Sequence, residues 1–124
     1  MSTLKVNNLQ DINGANNSTP EQVAKGRIKA WVEFDGASDT IRTDFGVSSI
    51  TDVGTGEYEV NFDTAFADAN YVVFGSCVGS TSGGFHAVIT SSGSVKQTGK
   101  CPFRMRHIED FNVEVQHVQL AFIR

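Results

Sequence analysis

The chain has 124 residues, 40% of them hydrophobic and 19% charged, which is enough for one domain with its own core and too apolar for a disordered chain. A formal net charge of −4 argues against a general nucleic-acid binder, since phosphate binding needs a positive surface. No apolar run approaches the roughly 20 residues that span a bilayer, and MSTLKVNNLQ holds no apolar signal core, so a soluble, non-exported protein without membrane insertion is expected.

Residues 1 to 26 differ from the remainder. STLKVNNLQDI carries Leu4, Val6, Leu9 and Ile12 at a spacing that fits neither a clean strand nor a long helix, and NGANNSTP reads as turn-forming chain. Ser18 or Thr19 followed by Pro20-Glu21-Gln22 predicts a helix start, with Gly26 as its stop. So little apolar material cannot fold alone, so an arm is expected that orders by docking, with Leu4, Val6, Leu9 and Ile12 as its anchor residues. The domain proper is then 27 to 124.

From Arg27 the period becomes two. In RIKAWVEFD, Ile28, Ala30, Val32 and Phe34 share one face, while Arg27, Lys29, Trp31, Glu33 and Asp35 share the other. Strands are next predicted in TIRTDFGV, in SSITDV and in EYEVNF, where Tyr58, Val60 and Phe62 point inward, with Gly54-Thr55-Gly56 as the turn before the last of these. After the connector DTAFADAN, the run YVVFGSCVG is apolar on both faces, which predicts a strand that is central or covered on both sides. FHAVIT, SVKQTG, PFRMRHIE and NVEVQHVQLAFIR complete eight or nine short strands, the pattern of an antiparallel sandwich or barrel, and an all-β antiparallel β-sandwich, jelly-roll or lectin-like, is the fold expected. In the last segment Val113 and Val115 have one parity and Val118, Leu120 and Phe122 the other. A bulge near Gln116-His117, or a passage from one apolar surface to another, is therefore expected. Twelve Gly, 11 Ser and 10 Thr suit the turns such a fold needs, and 9 Phe suit its strands.

Trp31, the single Trp, lies on the charged face of its strand. An exposed Trp beside two-faced strands implies apolar surface that another copy of the chain would cover, so an oligomer is expected. Charge is unevenly spread: Glu33 to Asp68 holds nine acids and the single base Arg42, while Lys96 to Arg106 holds four bases and no acid. Either each segment is a solvated face, or the acidic segment of one copy meets the basic segment of another. Cys77 and Cys101 are expected as reduced, largely buried thiols.

Catalytic motifs are wanting. There is no GxSxG, HExxH, P-loop or CxxC, and GSTSGG lacks the Lys and helix of a phosphate cradle. His86, His107 and His117 fall on predicted strands without ligand spacing, so neither a metal nor any other cofactor is expected. The candidate contacts for a partner or receptor are Trp31, the loop from Ser80 to Phe85, and Arg104 and Arg106, which lie on the strand face opposite Phe103 and Met105 and suit anionic sugars or a partner's acids.

The opening STLKVNNLQD, the strand KAWVEFDG, the block SSITDVGTGEYEVNF running on to ADANYVVFGS, and the ending VQLAFIR resemble small virion proteins and tail-fibre domains of tailed bacteriophages, especially those infecting marine cyanobacteria. The resemblance covers nearly the whole chain, and GTGEYEVNF to ADANYVVFGS is its most specific part. It implies a β-sandwich, usually trimeric, used as a fibre tip, knob or capsid appendage of the virion, with the arm held by other virion proteins. VNFDTAFADANYVVFGS is also loosely similar to H-type lectin domains, although Ala69-Asn70 stands where those usually carry Pro. The function expected is therefore that of a non-enzymatic virion structural protein. The alternatives are a lectin-like module binding host surface glycans and a capsid decoration protein.

Overall fold

The computed structural model describes residues 1–15, 17–78, 86–90, 95–107 and 112–124, the segment 86–90 by its backbone, and Thr19 starts the one helix among these described residues, α1 (Pro20–Gly26). The Gln22 N–H donates to the Thr19 hydroxyl at 3.2 Å, and the Thr19 N–H donates back to the Gln22 side-chain oxygen at 2.8 Å. This capping box satisfies two otherwise orphaned donors, and Pro20 has no N–H to satisfy. Nothing on α1 is buried. Before it, Leu9 and Ser18 exchange two backbone hydrogen bonds of 2.8 Å, and the Asp11 carboxylate takes the N–H groups of Asn13 and Ala15.

Among the described residues eight strands follow: β1 (Ile28–Asp35), β2 (Thr40–Phe45), β3 (Val47–Gly54), β4 (Glu57–Phe62), β5 (Val72–Val78), β6 (His86–Thr90), β7 (Lys100–His107) and β8 (His117–Ile123). All pair antiparallel, in two four-stranded sheets of order β2-β1-β8-β5 and β3-β4-β7-β6. The alternation seen in the sequence sets the inward faces, except at Ile28, expected with Ala30, Val32 and Phe34, which lies across a register shift from Ala30 and is half exposed. Ala30, Val32 and Phe34 of β1 meet Tyr58, Val60 and Phe62 of β4 in one core with Cys101, Phe103, Met105, Val118, Leu120 and Phe122. The chain is thus an all-β sandwich. Aromatic rings fill the core in two groups. Tyr58 lies 5.3 Å from Phe34 and 5.6 Å from Phe103, and Phe62 lies 4.7 Å from Phe66 and 4.9 Å from Phe122. Such pairs add about 0.5–1.5 kcal/mol each beyond the area they bury.

The parity change in NVEVQHVQLAFIR is a passage between sheets. Asn112 bridges Arg106 and the Val113 N–H reaches the Met105 carbonyl on β7, while from His117 onward the chain lies between β1 and β5. The Gly36 N–H donates to the Val115 carbonyl at 2.9 Å and so fastens the crossing. The parity change is settled inside one chain and gives no argument for a second copy.

Two expectations are corrected. YVVFGSCVG does not make a central strand: β5 is the edge of its sheet, and Val72, Phe74 and Val78 on its outer face are each more than half exposed. SVKQTG does not make a strand over residues 95–99. Its backbone is used elsewhere: the Phe66 N–H takes the Thr98 carbonyl, the Phe62 N–H that of Gly99, and the Gln97 N–H turns back onto Lys100. The Tyr71 hydroxyl donates to the carbonyls of Gln97 and Lys100. The segment closes one end of the sandwich instead of extending a sheet.

Candidate functional site

The two outer faces of the sandwich differ in chemistry. On the β3-β4-β7-β6 face, Glu59 accepts two bonds of 2.9 Å from the Lys100 ammonium, Arg104 lies 3.5 Å from Glu57, and the Asn61 amide donates to the hydroxyls of Ser49 and Thr51. Arg106 donates to Asn112, whose amide donates in turn to Glu57. The acidic and basic stretches of the sequence therefore meet within one chain, because β4 and β7 are neighbours with Glu57 directly opposite Arg104. Arg104 and Arg106 are committed to this network, with Arg104 mostly covered. This face is built to stay wet.

The β2-β1-β8-β5 face is apolar. Register places Phe45, Trp31, Ala121 and Phe74 in one row running from edge to edge of the sheet. Trp31 is 36% exposed, Phe45 57% and Phe74 56%, and Ile28, Val72 and Val78 extend the same face at 49% to 59%. Ala121 and Gly75 floor a groove between Trp31 and Phe74. The neighbouring row is polar: Thr43, Glu33, Gln119 and Ser76, with the Ser76 hydroxyl donating to the Gln119 side-chain oxygen at 3.0 Å. The β1–β2 ladder is irregular beside Glu33, where Arg42 donates to Asp35 at 2.8 Å and to the Gln116 carbonyl at 2.6 Å, with His117 Nδ1 a further 2.8 Å contact. His117 Nδ1 also lies 3.2 Å from Glu33. A polar row and then a charged cluster thus bound the apolar row on one side, with Val78 beyond them beside His117.

The arm carries the second apolar group. Leu4, Val6, Leu9 and Ile12 are all exposed, at 82%, 38%, 46% and 100%. The first three line a shallow groove with Val23 and Ala24 of α1.

Of the residues singled out in the sequence, Trp31 lies on the apolar face, Arg104 and Arg106 lie on the opposite one, and the four arm residues stand apart from the core. Phe85 and the loop from Ser80 lie outside the described residues. The sequence did not single out Phe45, Gln119 or Ala121, because only the ladder register brings them beside Trp31. Cys77 and Cys101 are free, and burial pushes both thiols above their ordinary value. Among the described residues no cluster of His, Cys, Asp and Glu is arranged to hold a metal, and no helix is long and apolar enough to cross a membrane. Comparison with protein-family models, with curated proteins and with solved structures finds no match to this chain.

Proposed function

We propose that the chain is a non-enzymatic structural protein of a bacteriophage particle, a fibre- or knob-like appendage built from several copies, three by the resemblance noted above. One observation carries the assembly role: a sandwich with one hydrogen-bonded polar face and one apolar face, joined to an arm with exposed Leu4, Val6, Leu9 and Ile12. Solitary domains rarely leave contiguous apolar surface of this kind uncovered. On this reading the arm docks on other virion proteins while the sandwich projects outward. The test is a phage whose copy of the protein lacks residues 1–24: purified particles should lose the protein, and particles carrying it at full occupancy would defeat the anchor role.

A second reading, a lectin-like module for host surface glycans, is favoured by the groove between Trp31 and Phe74. It sets aromatic walls beside the Glu33 carboxylate and the Gln119 amide. A sugar ring offers an apolar face for stacking and hydroxyls for such polar groups. Glycan-array binding that disappears in Trp31→Ala would establish this reading, and an array with no binding would remove it.

A further inference from the structure

The sandwich protects the edges of its sheets unequally. β2 carries Arg42 and Asp44 and a register irregularity opposite Glu33/Phe34. β3 carries Asp52 and two irregularities in its ladder with β4. Charges and bulges of this kind stop an open edge from pairing with another strand. β5 has neither. Its ladder with β8 runs unbroken from Val72 to Val78, and VVFGSCV contains no charge and no Pro. In the sequence no Asp, Glu, Lys or Arg occurs from Ala69 to Val95. Among the described residues only β8 pairs with β5, while β6 of the other sheet comes close to it without pairing.

We infer that β5 is a contact strand, and that its partner is β5 of a second copy, paired antiparallel about a two-fold axis at Gly75. The uncharged strand offers a second copy no repulsion, and the register centred on Gly75 is the one that pairs all seven of its residues. An antiparallel pair centred on Gly75 sets Val72 against Val78, Val73 against Cys77, and Phe74 against Ser76 of the other copy. Residues of the outer face then meet the outer face, and the half-buried Val73 and Cys77 meet each other. The two Phe74 rings come to diagonal positions, within reach across an antiparallel pair. Gly75 has no side chain to hinder approach at the axis. The contact joins two β2-β1-β8-β5 sheets into one of eight strands and continues the apolar outer face across it. It does not depend on a virion role, and it uses an edge, so a grouping of copies through the Trp31 face can coexist with it.

The geometry gives a direct test. Val73 and Cys77 of the second copy stand directly opposite, at a Cα separation of about 4.5–5.5 Å that a disulfide spans. Two Cys77 side chains lie four residues apart along the pair and cannot be bridged. Val73→Cys, treated with oxidised glutathione, should therefore give a covalent dimer on a non-reducing gel. Wild-type protein, which retains Cys77, should not. Phe74→Lys, which places two ammonium groups at the diagonal positions, should abolish the covalent dimer when combined with Val73→Cys. Two results overturn the inference: no more covalent dimer from Val73→Cys than from wild type, or a covalent dimer that survives Phe74→Lys. An oligomer that persists in solution without this cross-link would leave the proposed assembly role standing and remove the β5 contact alone.

Discussion

The Tyr58 hydroxyl of β4 donates a 2.6 Å hydrogen bond to the carbonyl of Gly36, beyond the end of β1. Gly36 itself holds Val115 in the crossing between sheets, so one phenol ties β4, β1 and the entry to β8 together. Tyr58→Phe keeps the ring in its aromatic cluster and leaves a buried carbonyl without its donor, at a cost of about 1–3 kcal/mol. Urea unfolding should show a lower midpoint with an unchanged slope.

Gly56 turns β3 into β4 at φ +65°, and a Cβ there would lie 2.4 Å from the Val113 carbonyl oxygen. Both the backbone conformation and the contact exclude a side chain. Gly56→Ala should lose at least about 2 kcal/mol. Gly99→Ala, where a Cβ meets nothing within 4 Å, should stay within about 0.5 kcal/mol. Equal losses at the two sites would show that the Val113 crossing does not press on the hairpin.

Alkaline pH should weaken the fold. Burial is the largest cause that raises Tyr58 and Tyr71 above the ordinary 10.0 and Cys101 above 9.0. The folded chain keeps these protons at a pH where the unfolded chain gives them up. Their contribution is therefore complete below about pH 9 and is lost as pH climbs through 10 and beyond. Unfolding midpoints taken at intervals from pH 8 to 11 should fall, and the fall should be shallower in the double variant Tyr58→Phe, Tyr71→Phe.

Trp31 reports on the apolar face as the chain's single Trp. At 36% exposure in the lone chain, its emission should shift to shorter wavelength as concentration rises and copies cover the face. Emission that stays constant from nanomolar to hundred-micromolar protein would show that this face remains wet in self-association.

Period-two patterning made the inner faces of β1 and β4 legible, because a strand with one wet face has to alternate. The helix start was equally plain, since Thr19, Pro20 and Gln22 act on neighbouring backbone. β5 was misplaced for a physical reason. A strand with two apolar faces reads the same whether it sits in the middle of a sheet or at an edge awaiting a partner, and only the pairing tells the two apart. Residues 95–99 failed differently, because the bonds that hold them come from Phe62, Phe66 and Tyr71, far away in sequence. The row Phe45–Trp31–Ala121–Phe74 could not be read at all, because it depends on the register of three separate ladders.

β8 lies between β1 and β5, and contributes Val118, Leu120 and Phe122 to the core. Its pairing with β1 joins residues about ninety positions apart, such as Ile28 and Ile123. During synthesis β1, β2 and β5 must therefore wait without their central strand until residues 117–123 leave the ribosome. The hairpin of β3 and β4 can close long before. For that interval the charge-free β5 is open along both edges, which makes the wait for β8 the step most exposed to premature association between nascent copies.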